Sequence, residues 1–141
     1  MTTRRPIPFS RLRSRGARCC TAIVAVGVEA LLRWRTLPET CRVLGIRLRV
    51  GESRTPSRNS SSAPECIAQV RDEVDWVYSR FGLPDTCLRR ALTAGFRLRA
   101  HEPRLVIGVK KAATLDAHAW LEAKGSVLDW AEKHGQYVPM R

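Results

Sequence analysis

The sequence predicts an α+β domain in which helices come first and a small antiparallel sheet follows. Three observations carry that prediction. Ile67, Val70, Val74, Val77, Tyr78 and Phe81 recur at helical steps and stop at Gly82 and Pro84. Cys87 to about Leu98 carries a second stripe through Leu88, Ala91, Leu92 and Phe96. Arg104 to Lys110 then reads as a strand, Ala117 to Ala123 alternates, Lys124-Gly125 is a turn, and Ser126 to Trp130 returns as a strand.

A chain of 141 residues, 44% apolar, is enough for one ordinary domain with a core of its own. Its charge of +12 is uneven: residues 1–60 hold thirteen Arg and no Lys against three Glu, while the rest is nearly balanced. A basic half can face nucleic acid, an anionic membrane surface or an acidic partner. No aromatic-rich single-strand motif, zinc-finger spacing or helix-turn-helix supports the first, and a solvated Arg-rich surface is the simpler reading. The five cysteines (19, 20, 41, 66 and 87) are odd in number and lack disulfide-scaffold spacing, which fits reduced thiols in a cytosol. No Cys-x-x-Cys or His-x-x-x-His pair is present to anchor zinc.

Residues 1–15 are rich in Arg and Pro and read as frayed. From Ala17 to Arg35 the pattern is helical and apolar nearly all round, which predicts burial on several sides. The run from Cys19 to Leu32 resembles a signal-peptide core, but Glu29 interrupts it and it is shorter than the roughly 20 residues a bilayer span needs. A peripheral membrane or partner-docking helix is the second reading. After Pro38, Glu39 to Arg49 can form a short helix with Cys41, Leu44 and Leu48 on one face, weakened by Gly45. The predicted organisation is therefore a basic, apolar helical region over 1–50, a Ser/Arg/Pro linker over 51–63, and the main domain over 64–141. Ser62, Pro64 and Glu65 have capping-box spacing at the start of the next helix.

The chemistry concentrates between Pro84 and Trp130. Asp85 or Thr86 can cap a helix that Cys87 opens, and the unpaired amides and dipole there favour an anion, the reactive thiolate. The ordinary alternative is a small buried hydrophobe. On the predicted strand, His118, Trp120 and Glu122 point one way; Ala117, Ala119, Leu121 and Ala123 point to the core. If Lys124 and Gly125 are the turn, Trp120 faces Asp129 and His118 becomes its diagonal neighbour on the same face. A three-residue loop would send Asp129 to the other face. Cysteine, histidine and carboxylate are the parts of an activated thiol nucleophile. Asp129 is the candidate carboxylate, with Glu122 in reserve; Trp120 is a candidate substrate contact, though a tryptophan is more often core packing. His101 and His134 receive no role.

Cys87-Leu88 opening a helix, then Leu105-Val106-Ile107-Gly108-Val109-Lys110, then Ala117-His118-Ala119-Trp120-Leu121-Glu122 with Gly125, resembles the leader peptidases of lasso-peptide biosynthesis. These are cysteine proteases of the papain-like, transglutaminase-like fold, and the resemblance covers about residues 65–141. It implies a Cys-bearing helix N-terminus packed on a small antiparallel sheet, preceded here by N-terminal helices. It also implies Cys87 as nucleophile, His118 as base and acid, and Asp129 as the orienting carboxylate, with the Cys87 amide as the default oxyanion donor and no cofactor or metal. The chain looks like the stand-alone protease of a split system. That implies a precursor peptide as substrate, a separate leader-binding protein, an ATP-dependent lasso cyclase, and a cytoplasmic location. Two features depart from the family pattern. Arg99-Ala100-His101-Glu102-Pro103 stands where a Gly-containing turn is usual, and Ala91 where many relatives have Ser. The rival readings are a transglutaminase-like amidase or acyltransferase, a non-catalytic binding protein of the same fold, and a basic nucleic-acid binder.

Overall fold

The computed structural model describes residues 9–49, 65–111, 115–132 and 134–140. Four helices, α1 (Phe9–Trp34), α2 (Leu37–Leu44), α3 (Glu65–Phe81) and α4 (Cys87–Arg97), pack with a five-stranded sheet. Its strands are β1 (Arg47–Arg49), β2 (Arg104–Lys111), β3 (Leu115–Ala123), β4 (Ser126–Leu128) and β5 (Val138–Pro139). They lie in the order β1-β2-β3-β4. β5 pairs antiparallel with Gly108 and Val109, further along β2 than the parallel partner β1, which pairs with Arg104 to Val106. All other pairings are antiparallel.

One apolar cluster runs through every layer. Ala25 and Val28 of α1, Cys41 and Leu44 of α2, Ile67, Val70, Val74, Val77 and Tyr78 of α3, Ala91 and Leu92 of α4, and Leu105, Ala119, Leu121 and Leu128 of the sheet all belong to it. Residues before and after the linker thus share a core. Ala119, Leu121 and Ala123 face that core, which leaves His118, Trp120 and Glu122 for the other face of β3, as period-two alternation requires. The linker 51–63, and with it Ser62, the expected cap of the helix that Glu65 opens, lies outside the described residues.

Charge ties the helices together. α4 holds Arg89, Arg90 and Arg97, and each meets a carboxylate from another segment. Arg89 pairs with Glu29 of α1 at 2.6 Å, Arg90 with Asp75 of α3 and with Asp85, and Arg97 with Glu73 of α3 at 3.0 Å. Glu73 is 5% exposed and also accepts from Thr21 of α1 and Gln69. A carboxylate this buried is tolerated because its lone pairs are occupied by donors from three helices.

Three expectations change. α1 begins at Phe9, within the stretch expected to fray, and it is buried on one side only: Ile23, Val26 and Trp34 are 72%, 58% and 83% exposed. An unbroken apolar run looks the same in sequence whether one face or all faces are covered. The second helix ends at Leu44 rather than Arg49. Gly45 takes the left-handed conformation, its amide bonds to Arg42 and that of Ile46 bonds to Cys41, the Schellman pattern, and the chain leaves as β1. The strand after the Lys124-Gly125 turn, β4, ends at Leu128 instead of Trp130. In the Arg99–Pro103 segment, Glu102 is left-handed at φ 48° after a short 3-10 turn at Arg99–His101. No helix among the described residues is long and apolar enough to cross a membrane.

Candidate active site

The β3–β4 hairpin sets the geometry. Lys124 and Gly125 both have positive φ, 49° and 75°, as a two-residue type I′ turn needs. The pairs Leu121–Leu128, Glu122–Val127 and Ala123–Ser126 follow from that turn. Asp129 comes directly after Leu128, the pair farthest from the turn, and its Oδ1 lies 2.7 Å from His118 Nε2. Both are buried, at 7% and 4% exposure. The amide of Ala131 donates to the same Oδ1 at 3.0 Å, so the carboxylate is held from the backbone side as well. With Nε2 turned to Asp129, Nδ1 is the imidazole nitrogen left for proton exchange.

The strand opposite explains the motif Ile107-Gly108-Val109. Gly108 pairs with His118, and a Cβ there would lie 2.7 Å from the Trp120 ring and from Tyr137 Cβ. The missing side chain makes room for two aromatic rings that flank the imidazole. Trp120 stacks at 6.1 Å and Tyr137 sits at 5.1 Å from it, centroid to centroid. Trp120 is 4% exposed and its indole N–H donates to Glu122, so the residue considered for substrate contact is a packed wall beside His118. Glu122, the reserve carboxylate, is engaged by Arg49 at 3.0 Å and by Trp120.

Tyr137 had no signal in the sequence, because its place depends on β5 returning to β2. Its hydroxyl donates to Asp116 at 2.6 Å. That bond holds its pKa above the usual tyrosine value; burial, the Asp116 charge, and the nearby Cys87 and Asp129 add to the effect.

Cys87 is the first residue of α4 and is half-buried. Thr86, rather than Asp85, is the N-cap: its Oγ1 accepts from Arg89 N at 3.4 Å and its carbonyl from Arg90 N at 3.1 Å. The amides of Cys87 and Leu88 have no intrahelical acceptor, as in any first turn. Asp85 instead grips the Arg90 guanidinium, with a second contact of 2.8 Å. That guanidinium lies over the Trp130 ring at 5.9 Å, so it joins the start of α4 to the turn that carries Asp129. Its place there depends on the tertiary fold. Among the described residues the Cys87 thiol makes no hydrogen bond, to His118 or to any other group. The structure therefore joins His118 to Asp129 and packs the helix that Cys87 opens against the strand that carries His118, without closing a thiol–imidazole contact.

The other thiols differ in setting. Cys19 and Cys20 are exposed, and burial pushes the Cys41 thiol up to about 11. Cys66 lies 3.6 Å from His101 Nε2, a partner not foreseen for either residue. His134 stands in a short 3-10 turn.

Residues 22–141 match the model of the transglutaminase-like superfamily, and the chain belongs to that superfamily. Its α+β architecture, four helices on a small and mostly antiparallel sheet, is consistent with that fold, one generally used by cysteine proteases and transferases. No curated protein and no solved structure gives a significant match to the chain.

Proposed function

We propose that this protein is a cysteine peptidase that removes the leader from a lasso-peptide precursor in the bacterial cytoplasm. The observation that carries the reading is the buried His118–Asp129 bond of 2.7 Å beside a helix that opens on Cys87. The family resemblance of the Cys87, Gly108 and His118 motifs supplies the substrate class. In this reading the Cys87 thiolate attacks the scissile carbonyl carbon, and the oxyanion that forms is met by the Cys87 amide. Collapse breaks the C–N bond, with a proton from His118 Nδ1 going to the leaving amine, the new amino terminus of the core peptide. Water then attacks the thioester and gives its proton to His118. The leader leaves as a carboxylic acid and the thiolate is regenerated. Asp129 stabilises the imidazolium and fixes its orientation. A leader-binding protein delivers the substrate, and an ATP-dependent cyclase consumes the product. Apo geometry is often looser than the working site, so closure of Cys87 onto His118 belongs to the complex.

The test combines two measurements. Iodoacetamide labelling across pH, mapped by mass spectrometry, compares wild type with His118→Ala, alone and with the leader-binding protein. Incubation with the precursor then looks for two peptides whose masses sum to precursor plus water. Fast labelling of Cys87 that depends on His118, together with hydrolysis, supports the reading. Transfer of the acyl group to an added amine, with no hydrolysis, identifies a transferase instead. Cleavage that survives Cys87→Ala rules the mechanism out.

A further inference from the structure

The outer face of α1 carries an apolar stripe from Cys19 to Trp34, about 22 Å at 1.5 Å per residue. Cys19, Ile23, Val26, Ala30 and Trp34 follow one another at three- and four-residue steps along it, and all are exposed. The opposite face carries Thr21, Ala25 and Val28, which are buried. Packing on α3 and α4 therefore uses one side of a helix whose other side is equally apolar. Exposed Arg15 and Arg33 border this stripe, and Arg35 follows the helix. The one carboxylate of α1, Glu29, is neutralised by Arg89. Residues 1–15 contain five Arg and no acidic residue.

An apolar face this long is costly in water and marks a surface that something covers. Charge selects among the candidates. In a second copy laid on the same face, the arginines would meet their like and no carboxylate would balance them. Apart from the Trp34 indole N–H, a group suited to a bilayer interface, the stripe offers no strong hydrogen-bonding side chain, so it presents little that specifies a folded partner. We infer that α1 is an interfacial helix that docks the protein on an anionic lipid bilayer, with Ile23, Val26 and Trp34 entering the acyl boundary and the flanking arginines meeting lipid phosphates. The helix lies in the plane of the surface and does not span it. This inference is independent of the peptidase reading.

Vesicle co-sedimentation of the full chain tests it. The probes are phosphatidylcholine vesicles with and without one third phosphatidylglycerol. Wild type is expected to bind the anionic vesicles at least about tenfold more tightly than the neutral ones, and to lose binding as salt rises. Ile23→Glu with Val26→Glu is expected to reduce anionic binding by at least about tenfold, since both positions enter the acyl boundary. Both sites are exposed, so thermal unfolding should be unchanged, which separates lost docking from lost fold. Arg33→Glu is expected to weaken anionic binding and leave the neutral vesicles unaffected. Equal binding to both vesicle types, no binding, or full binding by the double variant would overturn the inference. So would a solution dimer that the double variant dissolves, because a second copy would then cover the face.

Discussion

Cys66 and Cys87 have much in common. Each is half-buried, each lies in the first turn of a helix, and each is close to an imidazole-bearing segment of the same domain. Cys66 even has the closer histidine, with His101 Nε2 at 3.6 Å. The difference lies behind the imidazole. Among the described residues no carboxylate is paired with His101, which stands in a 3-10 turn. His118 is on a strand, bonded to a buried carboxylate and flanked by two rings that Gly108 admits. A thiol near an imidazole is a chance neighbour in many cores. An orienting carboxylate on a rigid hairpin is what makes one histidine suited to proton transfer.

Replacing each thiol draws the comparison most sharply. If the peptidase reading holds, Cys87→Ala lowers cleavage by a factor on the order of 10⁶, as loss of a nucleophile does elsewhere. Cys66→Ala leaves it unchanged. Single-turnover cleavage of the precursor measures both, and activity lost with Cys66 instead would invert the assignment.

The carboxylate comes next. Asp129→Asn keeps the shape of the His118 partner but removes its charge, and should lower kcat by about 10³–10⁴. Glu122→Gln should leave turnover nearly intact, because Glu122 serves Arg49 and Trp120. A larger loss from Glu122 than from Asp129 would show that the wrong acid has been chosen.

Gly108→Ala probes the seat of the histidine. The new Cβ would meet Tyr137 Cβ, which is next to backbone and cannot swing away. Overpacking of this kind destabilises by about 1–3 kcal/mol. Urea unfolding should show that loss and cleavage should fall with it, while iodoacetamide labelling of Cys66 stays at the wild-type rate. Wild-type stability in the variant would mean that Tyr137 and the strand carrying it are not packed on Gly108.

The fold class and the hairpin were legible because their signals are local: period-two alternation, a Lys-Gly turn, and a helix that starts after Thr86. One turn length decides which face Asp129 occupies, so the His118–Asp129 pair could be placed before any coordinates. β1, β5, Tyr137 and Arg90 were not legible. Edge strands of three and two residues have too little pattern to read, and their partners are distant in the chain. The outer face of α1 was misread for another reason: hydrophobicity records a tendency to be covered and does not say by what.

A smaller effect concerns the Arg90–Asp85 pair at the start of α4, which has no counterpart at the start of α3 among the described residues. The hydrogen bond from Arg90 holds the Asp85 carboxyl below the usual aspartate range, opposed by its partial burial. A depressed carboxyl stabilises the fold above its unfolded pKa of about 3.9, and that stability disappears as pH falls through the lower folded value. Asp85 is largely exposed, so screening limits the contribution to about 0.5 kcal/mol. Asp85→Asn should therefore be slightly less stable than wild type at pH 7, and the two urea curves should converge under strong acid. A gap that widens on acidification would mean that the pair does not clamp the helix.

The smallest effect concerns the second thiol. If His101 does no more than sit beside Cys66, His101→Ala changes the iodoacetamide rate of Cys66 by about twofold or less, against the much larger change at Cys87 on His118→Ala expected for an imidazole that holds a thiolate. Cys41, buried with its thiol raised to about 11, supplies the unreactive baseline in the same digest. A drop at Cys66 as large as that at Cys87 would mean that an imidazole alone activates a thiol in this fold, and the carboxylate would no longer distinguish the two sites. An unchanged Cys66 beside a strongly altered Cys87 would leave Asp129, and the hairpin that places it, as the feature that makes one of two similar cysteines chemically different.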